Sequence, residues 1–397
     1  MRRAVLFFES HSGHFDGAQQ SLFLLISKLD QRRFYPIFLG PAEGELPRRL
    51  RAAGIETIIL PPDREIAPYG GAILRASPWN KARLLIPYMR YALRVAQIFR
   101  DKHVEIVHCN SIRSLLTMAP AARMGGIPLV WHLRLNLELG LWNRVGRRLA
   151  KRIIVVSDSL RRDFPAGAGS ADKFVVVPNG VDPAAFAPGS DRFQSRAELG
   201  INPQWSVVGM AGSITERKGQ LLLLQAAAKV VKVLPRVKFI LIGRTNDAHD
   251  EEYAAKLRGY VDHMGLTENV RFMGWCSDMP HVLSALDLFV LPSSNEGLPR
   301  SILEAMAAAV PVVATNVGGN AELVVTERTG VLVPPRDADA LAVAIEKLLR
   351  VPDTAREMGR AGRLMVEQHF SLRSAALGVE RVFDQLLPAD DHQGMAA

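Results

Sequence analysis

Cysteine is nearly absent from this 397-residue sequence. Cys109 and Cys276 lie far apart, and neither belongs to a CxxC pair or a Cys/His cluster. A disulfide framework and a structural zinc are therefore not expected, and a reducing cytoplasm is the natural compartment. Long apolar runs are also missing: no stretch approaches the ~20 residues a spanning helix needs. The apolar part of the opening MRRAVLFFES is too short for a signal peptide. The chain is expected to be cytoplasmic, either free or peripheral on the inner face of the cytoplasmic membrane. No Asp-x-Asp pair lies in a loop suited to a metal, so neither a metal site nor a cofactor is expected. RRM, KH and helix-turn-helix signatures are lacking, which leaves nucleic-acid binding resting on charge alone, and none is expected. Charged residues make up 22% and apolar ones 48%, a balance that excludes large-scale disorder.

What is present is first a lopsided charge. Residues 1–185 carry 27 Lys+Arg against 15 Asp+Glu, a balance of +12; the remainder carries 22 against 25, and the two sum to the net +9. A basic first half reads as a surface that meets something anionic, such as a membrane. It reads equally as Arg-rich solvated faces.

The length suits two domains of similar size. Short apolar runs alternate with helical patterns twice over, the signature of parallel sheets with helical crossovers. Strands are expected at 4–8, 35–39, 56–60, 105–108, 129–132, 152–156 and 174–177, and again at 206–210, 238–242, 270–273, 288–291, 312–314 and 331–333. Turn-forming PNGVDP at 178–183 separates the two series. The expectation is an α/β protein of two Rossmann-like domains facing an interdomain cleft, with ligands beyond the carboxyl ends of the strands.

One loop there stands out. After the strand ending at Leu291 comes PSSNEGLPRSILEAM, in which Pro299 suits the first turn of a helix running through Ala309. Gly297 permits close backbone approach to a ligand, and a helix N-terminus offers free N–H groups to an anion. Two glutamates, Glu296 and Glu304, fit a ligand rich in hydroxyls. They fit equally an acidic helix start that favours the macrodipole.

Glu-x7-Glu within EGLPRSILEAMA resembles the signature of the large retaining glycosyltransferase family of GT-B fold, family 4, the glycosyl transferases of group 1. The resemblance extends over nearly the whole chain. It implies that Glu296 contacts hydroxyls of a donor sugar and Glu304 the ribose, beside Gly297 and Leu298. GSITERKG at 212–219 resembles the family's G-R-x(4)-K-G loop for the donor diphosphate. Lys218 matches the lysine; Ser213 stands where the family has arginine, and Arg217 is expected to supply that charge. His132, at a strand end, matches the histidine over the donor sugar, and Arg134 follows on the same loop. Gly17 matches the glycine loop after the first strand, facing phosphate or acceptor. Arg244 and Trp275 border the nucleotide by position, although Trp275 also reads as a packing residue.

Under the resemblance, residues 1–182 form the acceptor-side domain and 183–372 the donor domain. Residues 373–397 give a helix returning to the first domain, and a tail. His132, Lys218 and Glu296 are the expected catalytic residues. The implied donor is a UDP-, GDP- or ADP-sugar, and the implied chemistry is front-face transfer, in which the leaving phosphate deprotonates the acceptor hydroxyl. No residue is assignable as the carboxylate nucleophile of a double displacement. The acceptor is expected to be lipid-linked or a polysaccharide intermediate. Residues 78–102, with Trp79, Leu85, Ile86, Met89, Leu93 and six basic residues, read as a helix lying on an anionic membrane, or as an ordinary crossover helix divided at Pro87. The rivals are a nucleotide-sugar 2-epimerase on the same scaffold and a nonenzymatic nucleotide-sugar-binding protein.

Overall fold

The structure is a computed structural model that describes residues 2–10, 15–66, 84–135, 140–164, 171–187 and 192–387. It divides into two compact units. The first comprises the chain up to Val156, Arg161–Val177 and the chain from Ala375; the second comprises Ser157–Leu160 and Pro178–Ser374.

The first unit holds strands β1 (Arg3–Phe8), β2 (Phe34–Gly40), β3 (Glu56–Ile59), β4 (Val104–Cys109), β5 (Leu129–Leu133), β6 (Arg152–Val155) and β7 (Phe174–Val176). They form one parallel sheet in the order β3-β2-β1-β4-β5-β6-β7. The second unit holds β8 (Ser206–Ala211), β9 (Val237–Ile242), β10 (Val270–Gly274), β11 (Leu288–Leu291), β12 (Val312–Thr315) and β13 (Gly330–Val333). These are also all parallel, in the order β10-β9-β8-β11-β12-β13. Each sheet reverses its winding at a central strand, β1 flanked by β2 and β4, and β8 flanked by β9 and β11. The loops beyond the carboxyl ends of such strands diverge and open a crevice. Val5, Leu6, Phe7 and Phe8 are buried throughout, as parallel strands covered by helices on both faces must be.

All thirteen expected strands are present, each end within one residue of its expected place. The helix at 300 is shorter than expected. It spans Arg300–Ala307 with Pro299 as its N-cap residue rather than in its first turn. Its end is set by Ala309, at φ +57°, with Ala309 N–H donating to Met306 O and Val310 N–H to Ala305 O. Pro311 disfavours helical backbone at Val310, so the chain turns out first. Pro87 does not divide its helix either: Leu85–Asp101 carries it in the first turn, where no N–H is needed.

The helix Leu372–Asp384 sends Ala376, Val379, Val382 and Phe383 into the core of the first unit. Phe383 meets Phe7 and Phe34 edge-on at 6.2 and 5.6 Å. Burying such a ring stabilises the unit by about 1.5–3 kcal/mol. Glu380, itself buried, accepts the N–H of Asp30 at 2.8 Å and so ties this helix to the turn before β2. Among the described residues no helix is long and apolar enough to cross a membrane.

Candidate functional site

In the second unit the loops beyond β8, β11 and β12 press together backbone to backbone. Gly219 has φ +78°, and a Cβ there would lie 2.2 Å from the carbonyl oxygen of Pro292. Gly318 has φ +48°, with Glu296 O only 1.8 Å from where its Cβ would stand. Gly319 abuts Gly297 O in the same way, at 2.0 Å. Such approaches admit only glycine, and they fix the segment 292–299 between its two neighbours. Further bonds lock it to the first loop: Ser294 N–H donates to Arg217 O at 2.8 Å, and the guanidinium of Arg217 donates to Asn295 O at 2.9 Å. Asn179 donates its side-chain amide to Leu298 O at 2.7 Å.

This frame places Lys218 Nζ 2.6 Å and Arg217 Nη1 3.3 Å from the same oxygen, Oε1 of Glu296. The Glu296 side chain is 7% exposed and that of Lys218 13%. Burial pushes the Glu296 carboxyl up, but the charges of Lys218 and Arg217, with hydrogen bonds from Lys218 and Ser293, outweigh it. The net direction is below the ordinary carboxylate value, so the group is ionised at neutral pH. A buried, fully charged cluster of this kind is poised for a charged or strongly polar ligand.

Next to it, the N–H groups of Gly297 and Leu298 have no hydrogen-bond partner among the described residues, although both residues are buried. An N–H without a protein partner is open to water or to an acceptor on a ligand. Leu298 offers only its backbone to a ligand, since its side chain is packed in the core. The helix Arg300–Ala307 lacks a side-chain cap, so its first amides add to the electropositive edge. Glu304 is held by Arg300 at 2.7 Å across one helical turn. Ser213 lends its carbonyl to the side-chain amide of Gln220 at 2.8 Å. On the loops after β9 and β10, the guanidinium of Arg244 lies over the Trp275 ring at 5.5 Å, and Trp275 is 49% exposed. An exposed indole backed by a cation is a stacking surface rather than core packing. The second unit thus joins Arg217, Lys218 and Glu296 by direct contact, pairs Arg244 with Trp275, and gives Glu304 to Arg300. Gly17 and His132 belong to the first unit and are described there.

In the first unit, Gly17 is the exposed first residue of a helix capped by Asp16, whose carboxylate accepts the Gln19 N–H at 2.8 Å. His132, near the end of β5, is buried, with Nδ1 3.2 Å from Nε2 of His108 on β4. Beside them runs a chain that sequence reading did not find. Arg134 Nε donates to Asn110 Oδ1 at 2.8 Å, and Asn110 Nδ2 donates to the buried carboxylate of Glu9 at 2.8 Å. It crosses from β5 to β4 to β1 at their carboxyl ends; its sequence signal was only three polar residues directly after apolar strands.

Burial, helped by the charge of Arg134, pushes His108 down to about 3 and His132 well below its usual value. Both are neutral when folded and take up a proton when unfolded near pH 6.5. Stability is therefore complete above that value and is lost as pH falls from 6.5 toward 3, because the unfolded chain binds the extra protons. Between pH 7 and pH 5 the loss is expected to be about 2 kcal/mol for His108, with His132 acting in the same direction. Hydrogen exchange of the β4 and β5 amides at the two pH values measures it; protection unchanged at pH 5 would contradict the assignment.

The family model for glycosyl transferases group 1 matches residues 191–365, and that for glycosyltransferase family 4 matches residues 16–185. A GDP-mannose-dependent monoacylated alpha-(1-6)-phosphatidylinositol monomannoside mannosyltransferase of Corynebacterium glutamicum is 30% identical over 74% of this chain and 79% of its own. A UDP-Gal:alpha-D-GlcNAc-diphosphoundecaprenol alpha-1,3-galactosyltransferase of Escherichia coli is 28% identical over 68% and 72%. In fold, the chain is similar to Anabaena HepE in complex with UDP-glucose, with a TM-score of 0.82 at 24% identity over 96% of this chain and 99% of that one. These relatives are transferases, so the epimerase reading is not favoured. With both halves matched and a 30% identical relative covered over most of its length, the chain belongs to the group 1, family 4 glycosyltransferases of GT-B fold, and is an enzyme that transfers sugar from a nucleotide-sugar donor.

Proposed function

We propose that the enzyme moves a hexose, with retention of anomeric configuration, from a nucleotide-diphosphate donor to a hydroxyl of a lipid-linked glycan intermediate at the inner face of the cytoplasmic membrane. The observation that carries the donor half is the cluster of Lys218 and Arg217 on one oxygen of a buried, ionised Glu296. A diphosphate draws both cations toward itself and takes up the amides of Gly297 and Leu298, while the Glu296 carboxylate accepts sugar hydroxyls. Arg217 thereby supplies the charge that Ser213 lacks. Glu304 exchanges Arg300 for the ribose hydroxyls, and the Arg244–Trp275 pair borders the base. By their match to the family's motifs, His132 is assigned to the donor sugar and Gly17 to a phosphate or the acceptor.

In the transfer step the bond from the anomeric carbon to the diphosphate oxygen breaks as the acceptor oxygen bonds to the same face. The acceptor proton passes to the leaving phosphate. Lys218, Arg217 and the start of the helix Arg300–Ala307 stabilise the charge that develops there. Because side chains and a helix end neutralise the diphosphate, turnover calls for no divalent metal and is expected to be unchanged in excess EDTA.

The acceptor half rests on two supports. Both mannosyl- and galactosyltransferase relatives are named for lipid-linked acceptors. The helix Leu85–Asp101 buries Tyr91, Ala92, Val95 and Phe99 on one face, the crossover packing, yet exposes a second apolar stripe of Leu85, Ile86, Met89 and Leu93. Leu85 is 59% and Ile86 70% exposed, and Arg90 and Arg94 flank them, sharing the carboxylate of Asp63 at 3.5 and 2.7 Å and so keeping a net positive edge. The expected Trp79 lies outside the described residues. A basic stripe of this composition suits an anionic bilayer surface.

The test is a thermal-shift screen of UDP-glucose, UDP-galactose, GDP-mannose and ADP-glucose, followed by product analysis with a polyprenyl-diphosphate-linked sugar and with phosphatidylinositol. A matched donor at a hundredfold excess over Kd is expected to stabilise by about 2.7 kcal/mol. Stabilisation by none of the four would overturn the donor reading. Failure to sediment with phosphatidylglycerol vesicles at low salt would overturn the membrane reading alone.

A further inference from the structure

The two buried histidines carry an inference about how the first unit contributes to transfer. His108 Nε2 and His132 Nδ1 face each other at 3.2 Å with their rings at 84°. The outer nitrogens, Nδ1 of His108 and Nε2 of His132, are both buried and have no partner. His108 is packed among phenyl rings, Phe7 at 4.9 Å and Phe383 at 6.0 Å between centroids. No acceptor reaches its Nδ1, whereas His132 lies near the carboxyl end of β5, where sheets of this kind meet ligands.

Two neutral imidazoles share two protons among four nitrogens, and one proton must lie between the facing pair. Two arrangements remain. In one, His132 donates inward and the second proton sits on His108 Nδ1, a buried N–H on a ring packed against Phe7 and Phe383. In the other, His108 donates to His132, and the second proton sits on His132 Nε2. Only a lone pair is then sealed inside, and the outer N–H gains a partner as soon as a ligand oxygen arrives. Each arrangement leaves one N–H and one lone pair without a protein partner, and the second is favoured because its N–H is the one at the ligand end of the sheet.

We propose that His108 is a positioning residue for the sugar-transfer reaction: its Nε2–H donates to His132 Nδ1 and so holds the His132 proton on Nε2, as a hydrogen-bond donor to an oxygen of the nucleotide sugar. The proposal rests on the reading that His132 meets the donor. It gives His132 the role of a fixed donor rather than a proton acceptor, and it explains why a polar side chain interrupts the apolar run of β4.

Histidine-labelled full-length protein tests it, through long-range proton–nitrogen correlations of the rings, with His132→Gln identifying the His132 signals. The expected spectrum at pH 7.5 has the His132 proton on Nε2 and Nδ1 bare. His108→Gln, whose Nε2–H can also donate, is expected to keep that pattern and to hydrolyse UDP-glucose or GDP-mannose with kcat within about threefold of the parent. His108→Leu is expected to lose the pattern and to lower kcat about tenfold, with KM little changed. A proton on Nδ1 of His132 in the parent protein overturns the proposal, and so does His108→Leu with His132 signals unaltered. Should His108→Leu not fold, the parent spectrum decides. Unchanged turnover in His132→Ala would instead overturn the reading of His132 as donor-facing, whatever tautomer the spectrum shows.

Discussion

Lys218→Ala is expected to lower kcat by about two to three orders of magnitude, the scale seen when one preorganised group that stabilises developing charge is removed. Lys218 is the nearest cation to Glu296 and the more buried of the two, so Arg217, a third exposed and 3.3 Å away, does not replace it. The substitution also strands a carboxylate that burial pushes up and Lys218 holds down. Breaking a buried pair from one side costs about 3 kcal/mol or more. The sign of the pH dependence separates the two effects. In the parent, Glu296 is depressed when folded, so its contribution is present above the ordinary carboxylate value and is lost as pH falls through the lower folded value. Without Lys218 burial prevails, the folded carboxyl rises, and that contribution becomes a penalty at neutral pH that acid relieves. The gap in stability between parent and Lys218→Ala should therefore be widest near pH 7 and close on acidification. Glu296→Ala should remove turnover to a similar extent, but because it strands the Lys218 cation instead of a carboxylate, its stability penalty should not be relieved by acid. The double substitution should lose far less than the sum, because the two residues act on one ligand. Full turnover in Lys218→Ala would remove the diphosphate assignment.

Much of the second unit was legible because its chemistry is local. Glu296, Gly297 and Glu304 sit within one strand–loop–helix unit, and apolar runs bounded by glycine and proline mark where that unit lies. The contact of Arg217 and Lys218 with Glu296 needed only two neighbouring strands, β8 and β11, to be placed side by side. The first unit was less legible because its polar chemistry is made by register. His108 lies opposite Val130 across the β4–β5 pair, so the rings of His108 and His132 meet diagonally, which neither residue's own surroundings announce. The Glu9–Asn110–Arg134 chain likewise exists only because β1 and β4, which are not successive strands in the sequence, are neighbours in the sheet, with β5 beside β4. The helix Leu85–Asp101 was read as either packed or exposed, and it is both. Its apolar residues cover two faces, and a single amphipathic pattern could not resolve them.

Gly318→Ala tests whether the backbone frame, and not only its side chains, makes the donor site. At φ +48° an alanine is strained by about 1–2 kcal/mol, and its Cβ would stand 1.8 Å from the Glu296 carbonyl oxygen. Backbone cannot swing away as a flexible side chain does, so overpacking adds about 1–3 kcal/mol. The expected loss is about 2–5 kcal/mol, the sum of these two contributions, with the segment carrying Glu296 displaced from Lys218. Gly319→Ala separates strain from contact. Its backbone is at φ −75°, ordinary for alanine, yet its Cβ would meet Gly297 O at 2.0 Å. It is expected to lose about 1–3 kcal/mol through contact alone and still to abolish stabilisation by the donor, because it moves the Gly297 and Leu298 amides. Gly259→Ala, on the exposed side of the helix Ala248–His263 with nothing within 4 Å of the added atom, should instead stabilise the protein by about 0.5–1 kcal/mol. Denaturant unfolding with and without the selected donor reads all three. If Gly319→Ala kept its donor-induced shift, side chains alone would hold the nucleotide sugar. If it loses that shift while Gly259→Ala keeps it, the amides fixed by the β12 loop are part of the binding surface, and the glycines at 318 and 319 serve recognition as well as folding.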